Sequence, residues 1–355
     1  MKTGIANLPL HYGKAPRWLF SRMTRLSREI ILIICQEYGA DEVLRRLSDP
    51  FWFQAFGCVL GFDWHSSGVT TTACGAIKEG IRGIEKEIGF YAAGGKGGVS
   101  RKTPSEIEKA GEDLSTEPSL LIYASRMAAK VDSSAVQDGY QLYHHSFFFT
   151  KDGKWCVVQQ GMNEVNRYAR RYHWLGEKVA DFVNEPESAI CCDYKVSSVL
   201  NLVAAESKSA REAATMISQE RPEKLVLEIK KMKELSLPLH HQIHVNSINP
   251  DRLYKIFLTT YERGPANFES LLGIEGVGPK TIRALSLISE LIYGVKPSFD
   301  DPVRYSFAHG GKDGHPYPVD RKNYDKSIEF LRRALSFAKI GNTEKLEAIK
   351  RLNAL

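Results

Sequence analysis

The chain has 355 residues, 43% hydrophobic and 25% charged, with Gly 28 and Pro 15. That is the composition of a folded globular protein, and it excludes collagen-like, low-complexity and mini-protein classes. The formal net charge is +6, a modest basic excess. At roughly 100 to 200 residues per domain the length predicts two domains. Six cysteines (Cys35, Cys58, Cys74, Cys156, Cys191, Cys192) show no CxxC spacing, so they read as small buried hydrophobes, not as a disulfide framework or zinc site. The longest apolar run, near Ile30 to Cys35, is too short to span a bilayer, and the opening MKTGIANLPLHYG has no signal-peptide core. The expectation is a cytoplasmic protein without a membrane partner.

In chain order, residues 1–30 carry Lys2, Lys14, Arg17, Arg22, Arg25 and Arg28 against Glu29 alone. Amphipathic spacing predicts helices over Arg22 to Tyr38 and Ala40 to Leu47. The segment GFDWHSSGVTTT follows and leads into a helical run from Ala73 to Ile88. Helix capping explains its serines and threonines, but not Asp63 beside His65. The stretch GGKGGVSRKTP from Gly94 lacks P-loop spacing; its glycines with Lys96, Arg101 and Lys102 predict a basic loop able to hold a phosphate.

From Asp138 to Met162 the pattern is strand, turn, strand. Asp152-Gly153 signals a two-residue type I′ hairpin. That turn predicts Thr150 opposite Trp155, Ser146 opposite Gln159 and His145 opposite Gln160. Phe147, Phe149, Cys156 and Val158 would then share a core face, with Asp138, Tyr140, His144, Ser146 and Gln159 on the other. Polar groups gathered in that way are costly to bury without a purpose. Next comes the basic and aromatic cluster Arg167, Tyr168, Arg170, Arg171, Tyr172, His173 and Trp174. It reads either as a nucleic-acid grip through Arg170 and Arg171 or as a solvated helix face with its aromatics turned inward.

Beyond residue 195 the pattern is helical, over Val196 to Ile217, Glu220 to Leu235 and Asp251 to Glu262. The expected fold class is α+β: a mixed domain over 1–195 containing the hairpin, then a helical domain over 196–355. The most specific motif, FESLLGIEGVGPKTIRALSLI from Phe268, resembles a helix-hairpin-helix, placed at about 266–293. Its turn glycines Gly276 and Gly278 let the backbone approach a phosphate, and amides at the helix start attract it. Lys280 and Thr281 add a charge and a hydroxyl. Such a hairpin grips the sugar-phosphate backbone without reading bases.

Seven of the ten histidines fall in three short stretches, at His144 and His145, at His240, His241 and His244, and at His309 and His315. The last lies in a glycine- and proline-rich loop over about 297–320, where His309, Lys312, Asp313 and Asp320 supply groups suited to metal-assisted phosphodiester cleavage. The HHxxH at His240 is not HExxH, so a zinc peptidase is not expected.

Four long strings, FDWHSSGVTTTACGAIKEG, GGKGGVSRKTP, DGYQLYHHSFFF with WCVVQQGMN, and DPVRYSFAHGGKDG with PYPVDR, resemble one prokaryotic, largely archaeal and thermophile family, the domain of unknown function numbered 763. The resemblance covers nearly the full length. It implies nuclease action on DNA or RNA, with the helix-hairpin-helix as the grip. The leading expectation is therefore a divalent-metal-dependent nuclease. Its polar centre would comprise Asp138, His144, Gln159, Asp63 and His65, closed by His309, Lys312 and Asp313. Mg²⁺ or Mn²⁺ would be held by Asp138, His144 and Asp313. Two alternatives stand beside it. One is a DNA glycosylase or lyase using Lys280 with Asp300 or Asp301; the other is a non-catalytic DNA-binding adaptor. Homodimerisation is a further expectation, from the commonness of two-fold symmetry.

Overall fold

A computed structural model describes residues 8, 15–62, 66–192, 195–232, 249–303 and 321–353. The fold is mixed α and β, as the patterning predicts. Five helices open the chain: α1 (Arg17–Tyr38), α2 (Ala40–Ser48), α3 (Pro50–Val59), α4 (Gly68–Ile81) and the single turn α5 (Glu85–Ile88). Asp49 caps α3 by accepting from the Phe51 and Trp52 amides. Strand β1 (Phe90–Lys96) leads through a 3₁₀ turn over Gly97–Lys102 into α6 (Thr103–Ala110), and α7 (Pro118–Lys130) follows. The expected glycine-rich loop is thus the end of a strand and a tight helical turn. Gly94 there has φ +83°, and a Cβ on it would lie 2.2 Å from the His145 carbonyl oxygen. Only glycine lets β1 run this close to its neighbour.

The rest of the sheet is β3 (Gln141–Thr150), β4 (Trp155–Asn163), β5 (Tyr168–Leu175) and β6 (Ala189–Cys191), after the two-residue β2 (Val136–Gln137). The five-stranded antiparallel sheet has the order β1-β3-β4-β5-β6, while β2 pairs separately with β7 (Leu200–Asn201).

The hairpin forms where expected, but one residue out of the expected register. Phe149 pairs with Trp155, Phe148 with Cys156, Ser146 with Val158 and His145 with Gln159. The Thr150 amide donates to the Lys154 carbonyl, so the loop is Lys151-Asp152-Gly153, with Gly153 at φ +85°. A three-residue loop ending on a left-handed glycine is the other common hairpin turn, and Asp-Gly serves both. The one-residue slip moves every β4 side chain to the opposite face. Phe147 and Phe149 therefore share their face with Val157 and Gln159, whereas Phe148, His144 and Ser146 share the other with Cys156, Val158 and Gln160.

Both faces are covered, which is why β3 and β4 read as near-continuous apolar runs. One core joins Tyr91, Phe147, Phe149, Val157 and Trp174 to α7 and to the helices α8 (Lys208–Ile217), α9 (Pro222–Met232), α10 (Pro250–Arg263), α11 (Phe268–Gly273) and α12 (Pro279–Tyr293). The other joins Phe90, Phe148, Cys156, Val158 and Leu175 to α1–α4 and to the last two helices, α13 (Arg321–Phe337) and α14 (Asn342–Asn353). Both cores draw residues from either side of position 195. Residues 168–174 of the basic and aromatic cluster lie in strand β5, not on a helix, with Arg167 in the turn before it, and Arg170, Arg171, Tyr172, His173 and Trp174 have no exposure.

Candidate functional site: a basic cleft beside helix α4

Helix α4 shows one stripe to solvent: Gly68, Thr71, Thr72, Gly75, Lys78, Glu79 and Arg82, the i, i+3, i+4, i+7 face. Its other side is buried. That stripe is one wall of a cleft of about 1750 Å³, well beyond the ~300–1,000 Å³ of ordinary small-ligand pockets. The N-terminal half of α1 supplies Arg17, Phe20, Thr24 and Arg25, β1 and its turn supply Gly94, Gly95, Lys96 and Lys102, and β3 supplies Tyr143, His144 and Ser146. Helices α1 and α4 approach closely because Gly80 has no side chain: a Cβ there would meet the Thr24 carbonyl at 2.8 Å.

The lining carries seven cationic side chains, Arg17, Arg25, Lys78, Arg82, Lys96, Lys102 and Arg167, against Glu79, Glu106 and Glu164. Lys78 and Arg82 are paired with Glu106 and Glu79, each at 2.7 Å. Glu106 also accepts from the Gly94 amide at 2.7 Å, and Lys78 donates to the Gly94 carbonyl at 2.8 Å, so this ion pair fastens β1 to α4 and α6. Arg25 reaches Glu344. Lys96 and Lys102 are exposed at the rim, and Lys96 Nζ lies 5.8 Å over the Tyr143 ring.

His144 is the one predicted catalytic side chain, among those described, that lines the cleft. It is almost wholly buried; its Nε2 lies 3.1 Å from Ser146 Oγ and its Nδ1 has no hydrogen-bond partner. Burial, with His145 and Lys96 nearby, lowers its pKa to about 3, so it is neutral near neutrality. Beside it Gln160 accepts from Thr70 and donates to the Ser67 carbonyl at 2.9 Å and to the Tyr143 hydroxyl, tying the start of α4 to the sheet. Burial lifts the neighbouring Cys74 thiol to about 12, which leaves it protonated and inert.

The other expected members lie elsewhere. Gln159 is on the opposite sheet face, where it accepts from His145 Nδ1 at 2.7 Å and donates to the Ala128 carbonyl and to Asp132. His145 Nε2 is 2.9 Å from Ser125 Oγ, so His145 is a satisfied core histidine paired with Gln159, not Gln160. Asp138 is also on that side. It accepts from Arg170 at 2.9 Å, from the Tyr172 hydroxyl at 2.6 Å and from the Tyr140 amide at 3.0 Å. Arg170 meanwhile makes a bidentate pair with Asp301 at 3.0 and 2.8 Å. The grouping of Asp138, His144 and Gln159 fails because it rests on the slipped register.

Arg170 and Arg171 are likewise corrected from nucleic-acid contacts to buried structural cations. Arg171 donates to His173, Thr70 and Gln54 at 2.9, 3.3 and 3.1 Å, and burial lowers its pKa to about 10. His173 donates from Nδ1 to the Leu47 carbonyl, which leaves Nε2 as the acceptor for Arg171. Asp63, His65, His309, Lys312 and Asp313 lie outside the described residues. The sequence reading missed Phe20, Phe62, Tyr143, Lys78 and Glu106; the α4 stripe of small and polar residues was the available signal.

The expected metal ligands are Asp138, His144 and Asp313. Asp138 and His144 are on opposite faces, and no three His, Cys, Asp or Glu side chains converge among the described residues. These two residues cannot share one ion, and the third expected ligand, Asp313, lies outside the described residues.

The helix-hairpin-helix forms as expected from α11 and α12, with Pro279 opening the second helix. Gly276 has φ +86° and is exposed with Lys280, whereas Thr281 is buried and cannot contact a ligand as expected. From α7, Lys130 donates to the Ile274 and Val277 carbonyls, and Gln137 donates to the Pro279 carbonyl at 2.9 Å. The carbonyls thus turn inward to α7 and, at Pro279, to Gln137 of β2. The hairpin is not part of the cleft lining. Arg101 is exposed but also not part of the lining. Asp301, one expected lyase partner of Lys280, is occupied by Arg170 and by the Val196 and Val303 amides.

Comparison with known families places this architecture: residues 4–319 match the family described as protein of unknown function, DUF763. The chain belongs to the DUF763 family. No curated protein and no solved structure is significantly similar to it. The DUF763 match takes in the cleft-forming elements from α1 to β5 and the helix-hairpin-helix, and stops just before α13. No described helix is long and apolar enough to cross a membrane.

Proposed function

We propose that this DUF763 protein is a nuclease that holds a nucleic-acid strand in the basic cleft, with His144 at the point of cleavage and the Gly276–Gly278 turn as a second backbone contact. The observation that carries the reading is a cleft of about 1750 Å³ lined by seven cations and three carboxylates, with His144, whose buried Nδ1 has no hydrogen-bond partner, among its lining residues. Phosphates spaced along a strand neutralise such a lining and release counterions. A phosphate beside His144 Nδ1 would raise the proton affinity of the ring, which burial otherwise holds low, and so bring it into range for proton transfer. Ser146 fixes the ring orientation through Nε2.

The test incubates the purified full-length chain with labelled single- and double-stranded DNA and RNA, with Mg²⁺, with Mn²⁺ or with chelator. Cleavage that disappears in His144→Gln while binding persists is the expected result. Salt-sensitive binding without cleavage on any substrate would favour the adaptor reading. Absence of both overturns the proposal. Lys96→Glu and Lys102→Glu should each weaken binding across sequences and reduce the slope of log affinity against log salt by about 1, read by fluorescence anisotropy.

A further inference from the structure

We infer that the cleft takes unpaired nucleotides and holds them by stacking their bases on Phe62, Phe20 and Tyr143; this rests on the reading of the cleft as a nucleic-acid site. All three rings line the cleft and are half-exposed within it. Two of them sit over glycines of α4. A Cβ on Gly68 would come within 2.9 Å of the Phe62 ring, and one on Gly75 within 3.7 Å of Phe20. Glycine inside a helix costs roughly 0.5–1 kcal/mol relative to alanine, so Gly75 stands against local preference, while Gly68 opens the helix. At position 68 the geometry gives the reason for a glycine: a larger residue would displace the ring.

Gly68 and Gly75 are seven positions apart, about 10 Å along the helix axis, so the two rings meet α4 at different turns of one side of the cleft. Tyr143 stands across from the start of α4, its hydroxyl held by Gln160, with Lys96 over its face. Flat apolar faces interleaved with cations are what a single strand requires, because every unpaired base offers a π-face and every linkage a charge. A duplex keeps those faces stacked inside and offers only its edges and phosphates. Such a duplex has no use for the rings.

The experiment uses the full-length wild type with three labelled ligands at one salt concentration: a mixed-sequence single strand of about 20 nucleotides, an abasic strand of the same length, and a hairpin duplex with the same number of phosphates. The base-bearing strand should bind about tenfold more tightly than either of the others. Phe62→Leu, which keeps apolar volume and removes the flat face, should lose several-fold affinity for the base-bearing strand and none for the abasic one. Equal affinity for all three ligands overturns the stacking inference and leaves the nucleic-acid reading intact. Failure to bind any of them overturns both. The wild-type comparison stands even if the variant does not fold.

Discussion

Arg170 has no exposed surface and is flanked by Asp138 and Asp301, two carboxylates brought from distant parts of the chain. Removing one partner of a buried ion pair strands the charge of the others, at about 3–5 kcal/mol. Arg170→Met should therefore cost stability on that scale in urea denaturation, and adding Asp138→Asn and Asp301→Asn should recover part of it. His144 gives a pH prediction. Its folded pKa of about 3 lies below the unfolded value, so the unfolded chain binds the proton first and stability drains away as pH falls from about 6.5 towards 3. Relative to His144→Gln, the wild type should lose about 2 kcal/mol between pH 6.5 and pH 5, with no further change above neutrality. Burial shifts Asp132 the other way, raising its pKa beside Glu187. Its contribution to stability is present at low pH and lost as pH rises through the folded value, which is why the histidine slope is best read as a difference between variants.

Among the elements, the β3–β4 hairpin shows what patterning can and cannot resolve. The strands, the turn and the apolar character of Phe147 to Phe149 were all legible, because they follow from composition and from Asp152-Gly153. The register was not, because that dipeptide serves both a two- and a three-residue loop and both faces of the sheet are buried, so no polar face marked the error. One slipped residue carried Gln159 and His144 to different cores and dissolved the expected centre. The helix-hairpin-helix was legible to its boundaries because its glycines and proline have few other uses. Helix α4 could have been read from its small and polar stripe, which starts at Gly68, five residues before the helical run seen in the sequence. At the end of β1, Gly94→Ala should disrupt pairing with β3 and cost more than about 2 kcal/mol, since the added methyl would meet the His145 carbonyl at 2.2 Å in a left-handed conformation. Gly98→Ala, with open space and an ordinary φ, should leave the thermal midpoint within a degree or two of wild type.

For the whole molecule, the sequence divided the chain near 195 by its shift from strand to helix patterns. The sheet is sandwiched between two cores, neither of them contiguous in sequence. Periodicity reports which face of a helix is buried, but not which partner covers it. The last helices illustrate this: Leu331, Ala334, Leu335, Ala348 and Leu352 complete the core built around α1–α4. Leu335→Ala should destabilise by about 2–5 kcal/mol and shift the melting of that core, followed through Trp52 fluorescence.

The closing of α13 and α14 over α1 has a consequence for biosynthesis. Glu37 meets Arg333, the Glu29 carboxylate takes the Lys339 amide, and Arg25 meets Glu344, so α1 is buttressed by a segment about 300 residues further along the chain. At about 5–20 residues per second, the ribosome takes roughly 15–60 seconds to deliver that buttress after α1 has emerged. Throughout that interval the flank of α1 turned towards α13 stays uncovered, although its packing against α2 and α4 is already available from the emerged chain.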